Sequence, residues 1–539
     1  MLRGRQALVP TWMERILPIG RKAAFEGRFR GTPFLRSWIW IDDVGPDGPA
    51  IVSRTDLDLA PLGLGDVRKR SEVLVILGPE GDPQSVTIEA EGGTTRLDVA
   101  EEGVTITLPD GARSAVPGPR PAFVLENNHP GHTALLAAAF TGPVASLGKA
   151  VPVLLPSSAA IIDYRPSVQE DGTLLSPFGE RIEMVAGRIR HLATEDGSVE
   201  IFPSDEEMPE TVPDAPAAPR YAAPADATFR LEELTTEGVH GPLRGSVARP
   251  ARSSGVGVLV LQGSGSVDRD GFAGGIDTGT HAFADALAEI GATVLRYDKR
   301  GTGQSSTGDE TLGVAGYEDA VEDAARCLAA LQDDAAVEAG RVAILGHSLG
   351  GLTALVLSVE RHAGRLPLAL LAPPGRPLLD VMRQQVGGIA RSQGLTETAI
   401  DTRLGRLDAF ARHLADDADW PPDDPMLAAT RIHRRSFTEL AAYDPRSLIA
   451  RQRAPVLICQ GTHDVQMDVD ADAMALARAA EAADVPVRCV LLDGLNHLFR
   501  EAPAGEGLAG YAEIRPVSPS ALDTVIDWLA EEFDLSNAT

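Results

Sequence analysis

Arg341 to Gly351 reads RVAILGHSLGG, a short apolar run that leads into GxSxG and then into a helical period starting at Leu349. A serine hydroxyl is a poor nucleophile until a sharp strand-to-helix turn lifts its oxygen clear of the sheet and points it at a base. Gly346 and Gly350 suit such a turn, because the crowded backbone leaves no room for side chains at those flanking positions. Ser348 is therefore the candidate nucleophile. A bare GxSxG also arises in ordinary Gly-rich loops, and the strand before it and the helix after it separate the two readings.

The chain offers eleven histidines as bases. His497 stands in LLDGLNHLF, directly after the last apolar strand candidate, where a loop can hang an imidazole over the nucleophile. The others fit worse. His129, His132 and His191 lie in the N-terminal part, His281 and His362 on helices, His413 and His433 in a polar insertion, and His240 before the first buried strand. His347 is inside the turn itself, and His463 reads as a neighbour of the acid. The acid should follow a strand and precede the histidine in the chain, an order Asp464 satisfies in PVLICQGTHDVQM. Its carboxylate would accept the second imidazole N–H, fix the tautomer and stabilise the imidazolium. Asp468 reads instead as a helix cap and Asp493 as a turn residue. Activity is expected to rise with pH, since only neutral imidazole accepts the serine proton.

Acyl transfer also needs donors for the negative oxygen of the tetrahedral intermediate. The backbone N–H of Leu349, at a helix start, is one candidate; Ser264, with Gly263 next, is the other, in the QGSGS that follows Val256 to Leu261. A Gly-rich loop can instead cradle phosphate, but QGSGSVDRDG has neither the P-loop lysine nor the GxGxxG spacing.

These residues need a scaffold. The stretch from Pro203 to residue 228 is rich in Pro, Ala and acids without apolar period and reads as a linker. It divides the chain into residues 1–202 and 229–539. In the first part Val86, Ile88 and Ala90, then Leu97 and Val99, then Val104, Ile106 and Leu108 alternate at period two between Gly-rich turns. A β-rich domain is expected there, with a helix near His132 to Phe140. In the second part buried apolar runs alternate with helical periods, the pattern of an α/β fold with a mostly parallel sheet. The strand candidates are Val256 to Leu261, Thr293 to Tyr297, Val342 to Leu345, Leu366 to Leu371, Val456 to Cys459 and Val487 to Leu492. Polar, helix-forming sequence over about 376–450 interrupts the alternation and reads as a helical lid, with Leu378, Leu379, Val381, Met382 and Val386 lining a pocket or packing its base. The last helix is entered by Ser518 as cap and Pro519 at its first position.

Composition narrows the function classes. The net charge of −28 disfavours phosphate backbones and anionic membranes as partners, so no nucleic acid is expected. Nowhere do about 18 apolar residues run together, and Arg, Glu and Pro interrupt the N-terminal segment before a signal forms. Cys327, Cys459 and Cys489 are too scattered for a disulfide framework and read as buried thiols, which fits a cytoplasmic protein. No HExxH or paired CxxC occurs, so neither metal nor cofactor is expected.

The C-terminal part resembles the bacterial α/β-hydrolase carboxylesterases that carry an extra N-terminal domain. The matching pieces are GSGSVDRDG at 263–271, RYDKRGTGQS at 296–305, GHSLGG at 346–351, GTHDVQM at 461–467 and GLNHLF at 494–499. Proline is usual in that family at Ser266 and valine at Met467. The resemblance implies an α/β-hydrolase fold, a Ser348, Asp464, His497 triad, and oxyanion donors at Ser264 and Leu349. It does not extend over residues 1–202. The expected reaction is hydrolysis of carboxylic esters through an acyl-enzyme, with a small-molecule acyl ester as substrate. A thioesterase or serine peptidase is the alternative within that chemistry, and a non-catalytic binding protein of the same fold is the alternative outside it.

Overall fold

The apolar runs of the C-terminal part send alternate side chains into two separate cores. In the strand Gly257–Leu261, Leu259 and Leu261 enter one buried cluster while Val258 and Val260 enter the other. The same division separates Ile344 from Ala343 and Leu345, and Ile458 from Leu457 and Cys459. Strands of this kind need cover on both faces, which crossover helices supply only to a parallel sheet.

A computed structural model of the chain describes residues 13, 17–42, 49–58, 68–78, 81–90, 93–109, 111, 113–141, 150–194, 197–209, 221–273, 276–305, 315–392, 395–415, 434–513 and 515–535. In the C-terminal domain the sheet runs, edge to edge, through Phe229–Gly238, Gly241–Pro250, Thr293–Tyr297, Gly257–Leu261, Val342–His347, Leu368–Leu371, Val456–Gly461 and Val487–Leu492. The last six are mutually parallel, and the first two form an antiparallel hairpin against Thr293–Tyr297. This is the α/β-hydrolase fold. That hairpin is absent from the sequence reading, because Phe229–Gly238 is largely exposed and lacks an apolar run. His240 lies in its turn.

The helices Thr280–Glu289, Tyr317–Gln332, Leu349–Val356, Met474–Ala482 and Pro519–Glu532 cover the two faces. Ser518 occupies the cap position of the last one, yet its hydroxyl pairs with Ser520 rather than with a helix N–H. Within 376–450 the described residues are helical, over Leu378–Ser392, Glu397–Ala415, Arg434–Ala441 and Pro445–Ile449; His433 lies outside them. Val381 is buried in one core and Leu378 packs on the other, so these two brace the base of the insertion. Cys327 and Cys459 are buried, but Cys489 is only half-buried, because Val487–Leu492 is the edge strand.

The N-terminal domain is an antiparallel meander. Strands from Ala23–Phe29 to Arg113–Pro117 pair in chain order, and Ser167–Val168 to Val199–Ser204 extend the same sheet on the other side of Ala23–Phe29. The final strand thus runs to Ser204, into the stretch read as linker. The other end of that stretch is docked on the hydrolase domain. Tyr221 donates to Asp285 at 2.6 Å and lies under the Arg296 guanidinium, and Ala223 and Ala227 pack against the core.

The helix Pro130–Thr141 lies over the N-terminal sheet beside a buried polar chain. The backbone N–H of Glu126 can only donate, so Nδ1 of His132 accepts it. Nε2 of His132 then donates to Ser53, and the His129 ring bridges on from there, its Nδ1 against Ser53 and its Nε2 against Ser71, at 2.8 to 2.9 Å. Both imidazoles are neutral in this arrangement.

Candidate active site

Ser348 sits between the strand Val342–His347 and the helix Leu349–Val356 with φ 53° and ψ −122°, a conformation rarely held by a residue with a Cβ. The glycines around it explain how the turn is possible. A Cβ on Gly346 would meet the carbonyl oxygen of Gly350 at 2.4 Å, and one on Gly350 would meet that of Leu261 at 2.2 Å. The Ser348 N–H is held by Leu371 O at 2.8 Å, which ties the turn to the adjacent strand.

Asp464 follows the strand Val456–Gly461 and His497 follows its neighbour Val487–Leu492. The two loops are stitched together: His463 N–H donates to Leu495 O, Thr462 N–H to Leu492 O, and Gly494 N–H to the Thr462 hydroxyl. Gly461 must be glycine, since a Cβ there would lie 2.2 Å from Leu495 O. The result is a 2.7 Å contact between Asp464 Oδ2 and His497 Nδ1, with side-chain exposures of 0% and 4%. Asp464 also accepts from Gln460 Nε2 and from the N–H groups of Gln466 and Met467. Burial pushes its carboxyl upward, but the His497 charge and these hydrogen bonds outweigh burial and hold it below the ordinary carboxylate value.

His347 links this pair to the serine. Its Nε2 meets His497 O at 3.0 Å, and its ring centroid is 4.8 Å from that of His497. Burial, and then the neighbouring His497, push His347 down to about 3, so it is neutral and donates. Residue type alone gave no sign of this role, because the contact spans 150 positions. His463 is turned away, its Nδ1 at 2.7 Å from Ala502 O. Asp468 caps the turn Val469–Ala473 and Asp493 accepts from Thr462, the structural roles expected of them.

The loop after Gly257–Leu261 comes up against the nucleophile: a Cβ on Gly263 would be 3.3 Å from Ser348 Cβ. Among the described residues, the backbone N–H groups of Ser264 and Leu349 make no hydrogen bond. Arg269, later in the same loop, is anchored to Asp298 by its own N–H at 2.7 Å and by two guanidinium contacts. No group of His, Cys, Asp and Glu that could hold a metal exists among the described residues, and no described helix is long and apolar enough to cross a membrane.

Residues 271–501 match the family described as serine aminopeptidase, S33. A curated relative, the carbamate hydrolase RutD of Variovorax paradoxus, is 37% identical over 92 residues, which are 17% of this chain and 32% of the relative. The chain thus spans about a third of that relative's length. Among solved structures, an esterase of Pyrococcus furiosus matches at 16% identity and TM-score 0.38, over 60% of this chain and 98% of its own. A proline iminopeptidase of Mycobacterium smegmatis matches at 17% and 0.38, over 57% and 100%.

Proposed function

From the premise that the C-terminal domain is an α/β hydrolase, we propose that it is a serine hydrolase that cleaves carboxylic esters, with Ser348 as nucleophile, His497 as base and Asp464 as the group that orients the base. The observation that carries this reading is the buried 2.7 Å contact between Asp464 and His497, with His497 beside the strained turn that presents Ser348. A buried carboxylate on Nδ1 leaves Nε2 as the proton acceptor. In the proposed cycle Ser348 gives its proton to His497 as its oxygen attacks the acyl carbon. The N–H groups of Leu349 and Ser264 receive the oxyanion, and His497 returns the proton to the departing alcohol. Water, activated by the same imidazole, then releases the acid.

The family description favours a second reading, a peptidase acting at a free amino terminus. Binding an ammonium calls for an uncommitted carboxylate near the nucleophile. Among the described residues, three carboxylates on the surrounding loops are engaged: Asp298 with Arg269, Asp277 with Arg500 and Asp472 with Arg376. This supports the ester over the peptide. Turnover of p-nitrophenyl acyl esters, acyl-CoA thioesters and aminoacyl anilides by the wild-type chain separates the alternatives. Ester turnover is expected to dominate, with Ser348→Ala lowering it on the order of a million-fold and abolishing fluorophosphonate labelling. Dominant anilide turnover would replace the esterase by a peptidase, and an unlabelled, folded chain would leave a binding protein.

A further inference from the structure

We propose that Lys299 is a positioning residue for the oxyanion-binding loop: its ammonium grips the carbonyls on either side of Ser264 and so aims the Ser264 N–H at the reacting carbonyl. The inference rests on the serine-hydrolase reading above. Lys299 belongs to RYDKRGTGQS, whose role that reading leaves open. It directly follows the strand Thr293–Tyr297 and Asp298, and its Nζ donates to Gly263 O at 2.6 Å and to Gly265 O at 2.5 Å.

The peptide group makes this grip directional. In a planar trans peptide the C=O and the N–H point in opposite directions. Holding Gly263 O on the lysine therefore holds the Ser264 N–H on the far side of the same plane. Gly265 has φ 79°, a left-handed conformation that glycine holds without a Cβ penalty and that lets the loop turn both carbonyls toward the lysine. A cation on a peptide carbonyl also polarises that peptide and strengthens its N–H as a donor.

The lysine itself is fixed. Its carbonyl accepts from the N–H and hydroxyl of Thr302, and Asp298 beside it is clamped by Arg269 and by the Gln304 N–H. The charged groups around it are committed elsewhere: Asp298 to Arg269, Arg300 to Asp323, Asp268 to the N–H groups of Asp270 and Phe272, and Asp464 to His497. His347, across Gly263, is neutral. Among the described residues no carboxylate pairs with Lys299, an unusual position for an ammonium whose burial lowers it to about 8. Such a charge is retained below about pH 8 and lost above it, so the grip weakens on the alkaline side.

The test uses the full-length chain with Lys299→Met and Lys299→Arg, a p-nitrophenyl ester, and phenylboronic acid as a tetrahedral mimic. Lys299→Met is expected to lower kcat on the order of a hundredfold with KM little changed. It should weaken phenylboronic acid by a similar factor and remove an alkaline limb near pH 8 that the wild type shows. Lys299→Arg should restore part of kcat and move the limb beyond pH 8. Lys299→Met with wild-type kcat, boronate affinity and pH profile overturns the proposal. If Lys299→Met does not fold, Lys299→Leu takes its place with the same readouts, and a folded Lys299→Leu with wild-type kcat and boronate affinity overturns it. A wild-type chain that neither turns over esters nor labels at Ser348 instead removes the serine-hydrolase reading, and this inference with it.

Discussion

Asp464 Oδ2 and His497 Nδ1 lie 2.7 Å apart at the ends of two adjacent parallel strands, with almost no solvent reaching either side chain. The pair is not an isolated ion contact, because two backbone N–H groups and Gln460 occupy the remaining lone pairs of the carboxylate. A buried charge satisfied in this way is held in one geometry, which a base that must meet a hydroxyl in a fixed direction requires.

Replacing Asp464 by Asn should leave the fold in place but offer His497 the wrong tautomer, lowering kcat roughly ten-thousand-fold. The stability effect has a definite sign. A carboxyl whose folded pKa lies below its unfolded value contributes stability above the unfolded pKa and loses it as pH falls through the folded one. The gap in urea stability between wild type and Asp464→Asn should therefore narrow below about pH 4. A gap that widens on acidification would contradict the lowered carboxyl.

The backbone at Ser348 stores strain that a Cβ makes costly. Holding such a conformation costs about 1 to 3 kcal/mol, and glycine escapes most of it at an entropic cost of about 0.5 to 1 kcal/mol. Ser348→Gly should then be more stable than Ser348→Ala by about 1 kcal/mol, both variants being inactive. Urea unfolding of the two side by side measures it, and equal midpoints would mean that the elbow carries no strain.

The N-terminal domain should weaken in mild acid. Burial pushes His129 down to about 4 and His132 well below its ordinary 6.5, where the His129 neighbour adds to the effect. The unfolded chain binds protons at both sites below about pH 6.5 while the folded chain does not, so stability is full above that pH and falls as pH drops toward 4. Two histidines give a limiting slope of about 2.7 kcal/mol per pH unit. Glu126 and Glu180, whose carboxyls burial pushes upward, oppose part of this slope, so the difference is what counts: urea unfolding followed through the buried Trp38 should show His129→Gln lowering the slope by about 1.4 kcal/mol per pH unit. An unchanged slope in that variant would place the acid sensitivity elsewhere.

The parts of the fold that could be read from the sequence are those set by neighbours along the chain. RVAILGHSLGG carries its strand, its turn and its helix within eleven letters, and the two glycines the turn needs are visible as letters because only hydrogen fits against Gly350 O and Leu261 O. The strands were legible for the same reason: Thr293–Tyr297, buried throughout, and the edge strand Val487–Leu492 have the bounds the apolar runs suggest. The hairpin from Phe229 to Pro250 was not legible, since its first strand exposes alternate residues and earns its place by pairing rather than by burial. Which groups meet was decided only by the tertiary structure. The contact of His347 with His497 and the grip of Lys299 on Gly263 and Gly265 join segments 150 and about 35 residues apart. Parallel strands bring such segments to one sheet edge through crossovers, and no local propensity encodes which loops then touch.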